Sequence, residues 1–379
     1  MQKGYLLAPG PTPIPPRVLQ AMSASIIHHR VPAFEALMAE VREGLKVVFQ
    51  TDREVLIFTT SCTGAMEGAV SNFLSREDKA ICLRAGHFGE RWAEILMSYG
   101  VIPVNVDAKY GDPIPAGAVA EALQKNPDAK AVYMQASETS TGVTLPVREI
   151  AALVRKRPGT ILVVDAITAL GVFPLHTDEW GVDVVIGGSQ KGLMLPPGLA
   201  FAAVSEKGWR MFEASNLPRY YFDYRKELHA VRKNQTAFTP AVSLIAGLKE
   251  ALRMIRDEGL ENVFARHDRC ARATRAAMQA IGLSLFATAS PSSSVTAVKV
   301  PDGIEGGKIV DTLRDKHGIT IAGGQGSMKG KIFRIAHLGY VDKFDVITAV
   351  AAVEMTLKGL GHPVTFGKGV AAAMNILES

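Results

Sequence analysis

The stretch TILVVDAITALGVFPLHTDEWGVDVVIGGSQKGLMLPPGLAFAAV, residues 160–204, decides the fold. It holds three short apolar runs, TILVVDA (160–166), DVVIGG (183–188) and LAFAAV (199–204). Runs without a polar face are what strands look like when helices cover both sides of their sheet. Working outward, VLIFTT (55–60), AICLRA (80–85), VIPVNV (101–106) and AVYMQA (131–136) repeat the signal. Segments with helical spacing of apolar residues, such as GAMEGAVSNFL and ERWAEILMSYG, lie between them. Such alternation predicts an open, mainly parallel seven-stranded α/β sheet, whose ligands bind beyond the carboxyl ends of the strands.

The flanks differ in style. A Pro-rich arm, PGPTPIPP, precedes an amphipathic helix, AFEALMAEVREGLKVVFQ. From Lys207 to about Pro240 periodicity is weak, and a strong helix, AVSLIAGLKEALRMIRDEG, leads to a longer one rich in Arg and Ala. The runs SVTAVKV, GGKIVDTLRDKHG, ITIAGG and KIFRIAHLG, with a helix near 342–360, read as a smaller α+β domain. The expected organisation is an arm over 1–16, a large domain over 17–258 and a small C-terminal domain over 259–379.

Composition narrows the function. The chain has 379 residues with 42 Lys plus Arg against 37 Asp plus Glu, a surplus of +5 too thin to argue for nucleic acid. Cys62, Cys82 and Cys270 lack paired or metal-ligand spacing, which fits a reducing compartment. The N-terminus is no signal peptide, and no apolar run reaches the roughly 18 residues of a membrane span. A cytoplasmic globular protein, with no membrane and no metal, is expected.

Chemistry concentrates at strand ends. Lys191 follows DVVIGG among glycines and uncharged neighbours. A loop lysine is ordinarily a solvated one, but here desolvation would lower its pKa and favour amine nucleophile chemistry. Asp165 ends TILVVDA about one strand–helix–strand unit earlier; its plainer reading is a cap for the following turn. Lysine and aspartate at adjacent strand ends suit pyridoxal phosphate. The lysine forms the Schiff base, and the aspartate keeps the pyridine nitrogen protonated. TTSCTGAMEGA then offers a phosphate cradle at a helix N-terminus, with the hydroxyls of Ser61 and Thr63, although alone it reads as a helix cap.

With PGP, TSCTGAMEG, AGHFGERW, SETSTGV, VVDAITALGV, GSQKGLMLPPG, FTPAVSLI and KIFRIAHLG in this order, the sequence resembles the class V aminotransferases of fold type I, particularly the alanine–glyoxylate and serine–glyoxylate (serine–pyruvate) enzymes. The resemblance implies that Lys191 is the Schiff-base lysine and base, and Asp165 the partner of the pyridine nitrogen. It implies that Phe88 stacks on the ring and Ile167 packs on its other face, with Thr139 on the ring hydroxyl. Ser61, Cys62, Thr63 and Gln190 match the phosphate-binding positions. Thr236 and Thr239 would reach the phosphate from the neighbouring subunit of a homodimer with shared sites. Arg334 matches the arginine that grips the substrate carboxylate, though by pattern alone it reads as a strand-edge surface residue. The implied activity is ping-pong transfer of an amino group from alanine or serine to a 2-oxo acid such as glyoxylate or pyruvate.

Departures bear on specificity. Cys62-Thr63 stands where some eukaryotic relatives have Gly-His, and Thr236 replaces a tyrosine. The run His28-His29-Arg30 also differs: facing the site it would touch a substrate side chain, and as a solvated turn it would do nothing. Rivals remain. A cysteine desulfurase or related lyase needs a nucleophilic cysteine on a late mobile loop, whereas Cys270 reads as packed in HDRCARATRAAM. A non-catalytic subunit of the same fold would have no chemical need for Lys191, Asp165 and Arg334 together. The glycine patterns GGQGSMKGK and GKGVAA fail the P-loop and dinucleotide tests by residue type and length.

Overall fold

The computed structural model describes residues 3–379. The arm forms β1 (Tyr5–Leu6), and α1 (Pro16–Met22) and α2 (Pro32–Phe49) follow. The repeating block then runs β2 (Val55–Thr60), α3 (Cys62–Ser71), β3 (Lys79–Arg84), α4 (His87–Ser98), β4 (Ile102–Asp107), α5 (Ala116–Lys125) and β5 (Ala131–Gln135). A small hairpin, β6 (Ser137–Glu138) with β7 (Val143–Thr144), precedes α6 (Val147–Arg155), β8 (Ile161–Asp165), α7 (Thr177–Trp180), β9 (Val184–Gly188) and β10 (Gly198–Val204). Next come α8 (Glu206–Ala214), α9 (Tyr224–Val231), α10 (Val242–Glu258) and α11 (Leu260–Ala280). The chain closes with β11 (Val295–Lys299), α12 (Gly306–His317), β12 (Ile319–Thr320), β13 (Ala322–Gly323), β14 (Ile332–Ala336), α13 (Lys343–Gly359) and α14 (Lys368–Leu377).

The large sheet has seven strands in the order β2-β10-β9-β8-β5-β3-β4. Only β10 runs against its neighbours, because the short connection from β9 folds straight back as a hairpin-like return. Alternate residues feed two cores, as a sheet covered on both faces requires. Val132, Met134, Leu162 and Val164 pack toward α2, α5, α6 and α10, while Tyr133, Val163 and Ile186 pack toward α3, α4 and α9. A third core, in the small domain, joins Leu7 of the arm to Cys270, Phe333, Ile335 and Val350.

Local sequence explains the element ends. In α2, Phe34, Met38, Val41, Leu45 and Val48 are buried at helical spacing, Pro32 opens the helix, and Gln50 closes it in the left-handed region. Asp342 and Asp345 form a reciprocal capping box at the start of α13. The structure also departs from the sequence reading. The weakly periodic segment after Lys207 contains two helices, α8 and α9, and β4 is a half-exposed edge strand with Ile102 on the surface. The tail adds α14, which lies against α11.

The arm ties the two domains together. Tyr5 and Leu6 pair in parallel with Ile319 and Thr320, Leu7 O accepts Ala336 N–H, and Thr12 N–H reaches Gln190 O at 3.2 Å. This path brings Pro9 and Gly10 to the carboxyl edge of the large sheet, where the candidate site lies.

Candidate active site

Asp165 is the last residue of β8, in register with Gln135 on one side and Ile186 on the other. Its carboxylate accepts Ile167 N–H at 2.9 Å, so it does cap the following turn. It is nevertheless turned into a cleft while only 7% exposed. Burial pushes this carboxyl up to about 7, with Lys191 and Arg91 pulling the other way.

The return from β9 to β10 carries Lys191. Leu195 N–H bonds Ser189 O, Met194 N–H bonds Lys191 O, and Ser189 Oγ bonds Pro196 O, which fixes the loop from within. Thr12 Oγ1 holds Lys191 O at 3.1 Å, and Lys191 Nζ donates to Pro9 O. Gly10 is required at this crossing. Its φ is +129°, and a Cβ there would sit 2.0 Å from Lys191 Nζ. Burial lowers the Lys191 pKa, opposed by the nearby Cys62 and Asp165.

Beyond β2, Ser61 precedes the first turn of α3 without spending its hydroxyl on that helix. The N-terminus therefore keeps a side-chain donor beside its backbone N–H groups, as an anion site needs. Cys62 Sγ lies 3.3 Å from Gln190 Oε1, and burial pushes its thiol up to about 11, which keeps it neutral. Gly188 makes room for that sulfur, since a Cβ there would meet it at 2.1 Å. From α4, Phe88 enters the cleft with the Arg91 guanidinium 4.9 Å from its ring centroid.

Ser61, Cys62, Thr63, Phe88, Thr139, Asp165, Ile167, Gln190 and Lys191 thus line one cleft with about 160 Å³ of free space. Arg334 stands behind it on β14, 5% exposed. Its Nη1 bonds Thr139 O at 2.9 Å, and its Nε and Nη2 bond Gly323 O. It is not the surface residue its strand pattern suggests. Thr236 and Thr239 are not brought into the cleft; they line a separate small recess with Phe58, Tyr221 and Glu227. His28 and His29 stack on one another, and Arg30 bonds Gln235 Oε1 at 2.7 Å. Cys270 is buried in α11, with its thiol pushed up to about 11.

Sequence reasoning missed Arg91, Ser137 and Thr168 as lining residues. Arg91 could have been found, because it lies one helical turn after Phe88 within AGHFGERW and so shares its face. The residues present fit pyridoxal phosphate. The helix N-terminus and Ser61 suit a phosphate, the buried Asp165 carboxyl gains from a cationic neighbour, and a desolvated amine stands beside it.

Fold and site together define a pyridoxal-phosphate aminotransferase fold of type I, and pyridoxal phosphate is the cofactor of this fold. The family model "Aminotransferase class-V" matches residues 4–340, and the chain belongs to that family. It is 42% identical over 381 residues to the "Soluble hydrogenase, small subunit" of Synechococcus sp. (strain PCC 6716), covering 100% of this chain and 99% of that one. It is 36% identical over 387 residues to the serine–glyoxylate aminotransferase of Methylorubrum extorquens, covering 99% and 96%. Among solved structures, the ureidoglycine–glyoxylate aminotransferase from Bacillus subtilis superposes with a TM-score of 0.95 at 30% identity, covering 100% and 99%.

Proposed function

We propose that the protein is an aminotransferase that moves an amino group from a small amino acid, alanine or serine, to a 2-oxo acid such as glyoxylate or pyruvate. The observation that carries this reading is the pairing of buried Asp165 with half-buried Lys191 at neighbouring strand ends in one cleft, beside the free N-terminus of α3.

Bound pyridoxal phosphate supplies a reactive carbonyl carbon and a protonated pyridine ring that draws electrons from the substrate Cα. Asp165 holds a proton on the ring nitrogen. The cost of burying its carboxylate alone is offset when a cation lies beside it. Lys191 acts as nucleophile and then as base, taking the proton from the substrate Cα. Burial favours the neutral amine this step needs, and Pro9 O orients it. Burial pulls the Arg334 guanidinium down to about 10, so it stays charged at neutral pH. Its Nη atoms keep N–H groups beyond those given to Thr139 O and Gly323 O, and these grip the substrate carboxylate. Phe88 and Ile167 cover the ring faces, Thr139 binds its hydroxyl, and Ser61, Cys62, Thr63 and Gln190 hold the phosphate. Thr236 and Thr239, which line a recess apart from their own cleft, serve the site of a second copy in a homodimer. The protein works in the cytoplasm.

A second reading has a specific support: the Synechococcus relative bears the name of a hydrogenase subunit. In that reading the chain is a non-catalytic subunit that keeps the fold. One experiment separates the two, a visible spectrum of the protein loaded with pyridoxal phosphate, before and after L-alanine and then glyoxylate. A band that bleaches with alanine and returns with glyoxylate supports the aminotransferase. A band that ignores every amine tried favours the subunit, and the absence of any band after loading overturns the aminotransferase reading.

A further inference from the structure

Helix α4 carries Phe88 in its first turn, yet it starts at Gly86, which has no side chain to cap it. Its orphan N–H groups are satisfied from another part of the chain. Phe88 N–H and Gly89 N–H both donate to Glu138 Oε2 at 3.0 Å, and His87 N–H donates to Ser140 Oγ at 3.0 Å. Ser140 in turn donates its hydroxyl to Glu138 Oε1 at 2.6 Å and its backbone N–H to the same oxygen at 3.1 Å. Glycine at 86 is what permits this approach. A Cβ there would meet Ser140 Oγ at 2.5 Å and Glu138 Cγ at 2.6 Å.

Glu138 is fully buried, and each of its oxygens only accepts. Ser140 Oγ accepts His87 N–H on one lone pair and places its own O–H within reach of Glu138 Oε1. Burial raises this carboxyl's pKa, and the N–H and O–H donors converging on its two oxygens oppose that by favouring the carboxylate. The next residue, Thr139, gives its carbonyl to Arg334.

We infer that Glu138 is a positioning residue, a buried carboxylate that caps α4 from outside and so sets Phe88, Thr139 and Arg334 in one register around the cleft. The inference rests on the functional reading for what those three residues touch, and on hydrogen bonds alone for the cap. An N-cap normally serves only its own helix. Here the cap belongs to the segment that carries Thr139, whose carbonyl holds Arg334, so moving that segment moves the helix.

The test uses Glu138→Gln, which keeps the shape but must turn a donor toward one of the two sets of N–H groups. Ser140→Ala, which removes only the His87 acceptor and one donor to Glu138, is the milder companion. In the cofactor-free protein, amide exchange at His87, Phe88 and Gly89 should accelerate in both variants. In Glu138→Gln, affinity for pyridoxal 5′-phosphate, followed by its absorbance on titration, should fall by about tenfold to a hundredfold. Adding Phe88→Ala to Glu138→Gln should cost little beyond the larger single loss, because the first change already displaces the ring. Unchanged exchange at these amides would overturn the cap, and losses that multiply in the double variant would overturn the coupling to Phe88. Failure of the unmutated protein to bind the cofactor would sink the aminotransferase reading, while the exchange experiment would still decide the cap.

Discussion

Lowering the pH from 7 to 5 should move the stability of the cofactor-free protein in opposite directions through two sets of buried groups, histidines and carboxyls. His267 donates Nδ1–H to Val263 O at 2.8 Å and accepts Gly339 N–H on Nε2 at 2.9 Å. His337 donates Nδ1–H to Ser293 O and accepts from Thr296 Oγ1, both at 2.9 Å. Burial pulls each imidazole down to about 3. Unfolded, each takes up a proton below a pH of about 6.5. A depressed histidine contributes stability that is whole above that value and drains as the pH falls. By pH 5 the loss is about 2 kcal/mol for each imidazole.

Asp165 and Glu227 run the other way. Burial raises both carboxyls to about 7, so the stability they forfeit when ionised returns as the pH falls through 7. By pH 5 the recovery is about 2 kcal/mol for each, which opposes the histidine loss. The informative perturbation removes one side of this balance. Asp165→Asn keeps an oxygen for Ile167 N–H but has no proton to gain. It should lose about 2 kcal/mol more than the unmutated protein between pH 7 and pH 5. Urea unfolding at pH 7, 6 and 5, without cofactor and followed by circular dichroism, measures the difference. Parallel stability curves for the two proteins would refute the reasoning, because Asp165 would then not be protonating in the fold.

Four further outcomes follow from described contacts. Lys191→Ala should abolish transamination while leaving the far-ultraviolet circular dichroism of the sheet and helices intact. Arg334→Ala should raise KM for both carboxylate substrates by about tenfold or more, with little loss of bound cofactor by absorbance; surviving activity at unchanged KM would remove Arg334 from the site. Gly10→Ala combines an unfavourable φ with overlap on Lys191 Nζ, and should cost about 1–3 kcal/mol of unfolding free energy together with most of the activity. Asp342→Ala deletes the cap that accepts Phe344 N–H at 2.7 Å and should lower stability by about 1 kcal/mol without touching turnover.

How much of this was legible in the sequence depended on how local each cause was. The strands could be read because their burial on both faces forces apolar runs, and Lys191 and Asp165 because they stand at the ends of two such runs. Helices α8 and α9 escaped because they are short, and about two turns offer too few buried apolar positions to set a period: Phe212 in α8, and Tyr224, Leu228 and Val231 in α9. Arg334 looked like a surface residue because its partners are carbonyls, and a carbonyl has no sequence signature. Glu138 sat inside a quoted motif, SETSTG, beside the residue singled out. Its function lies in backbone N–H groups some fifty positions away, which no pattern in the motif reveals.

The arm has a consequence for the order of assembly during synthesis. Pro9 leaves the ribosome first, but the lysine it meets is 182 positions behind it, and the strand that pairs with Tyr5 and Leu6 begins only at Ile319. The large sheet can condense as its strands emerge, and until then the arm has neither partner. Its docking is therefore complete only late, when the small domain supplies the second set of partners and the arm pins it to the large one. A nascent chain that has completed the sheet already holds Lys191, Asp165 and the arm residues that meet Lys191, but not the strand that pairs with Tyr5 and Leu6. The arm is held from both sides only once the small domain has been made.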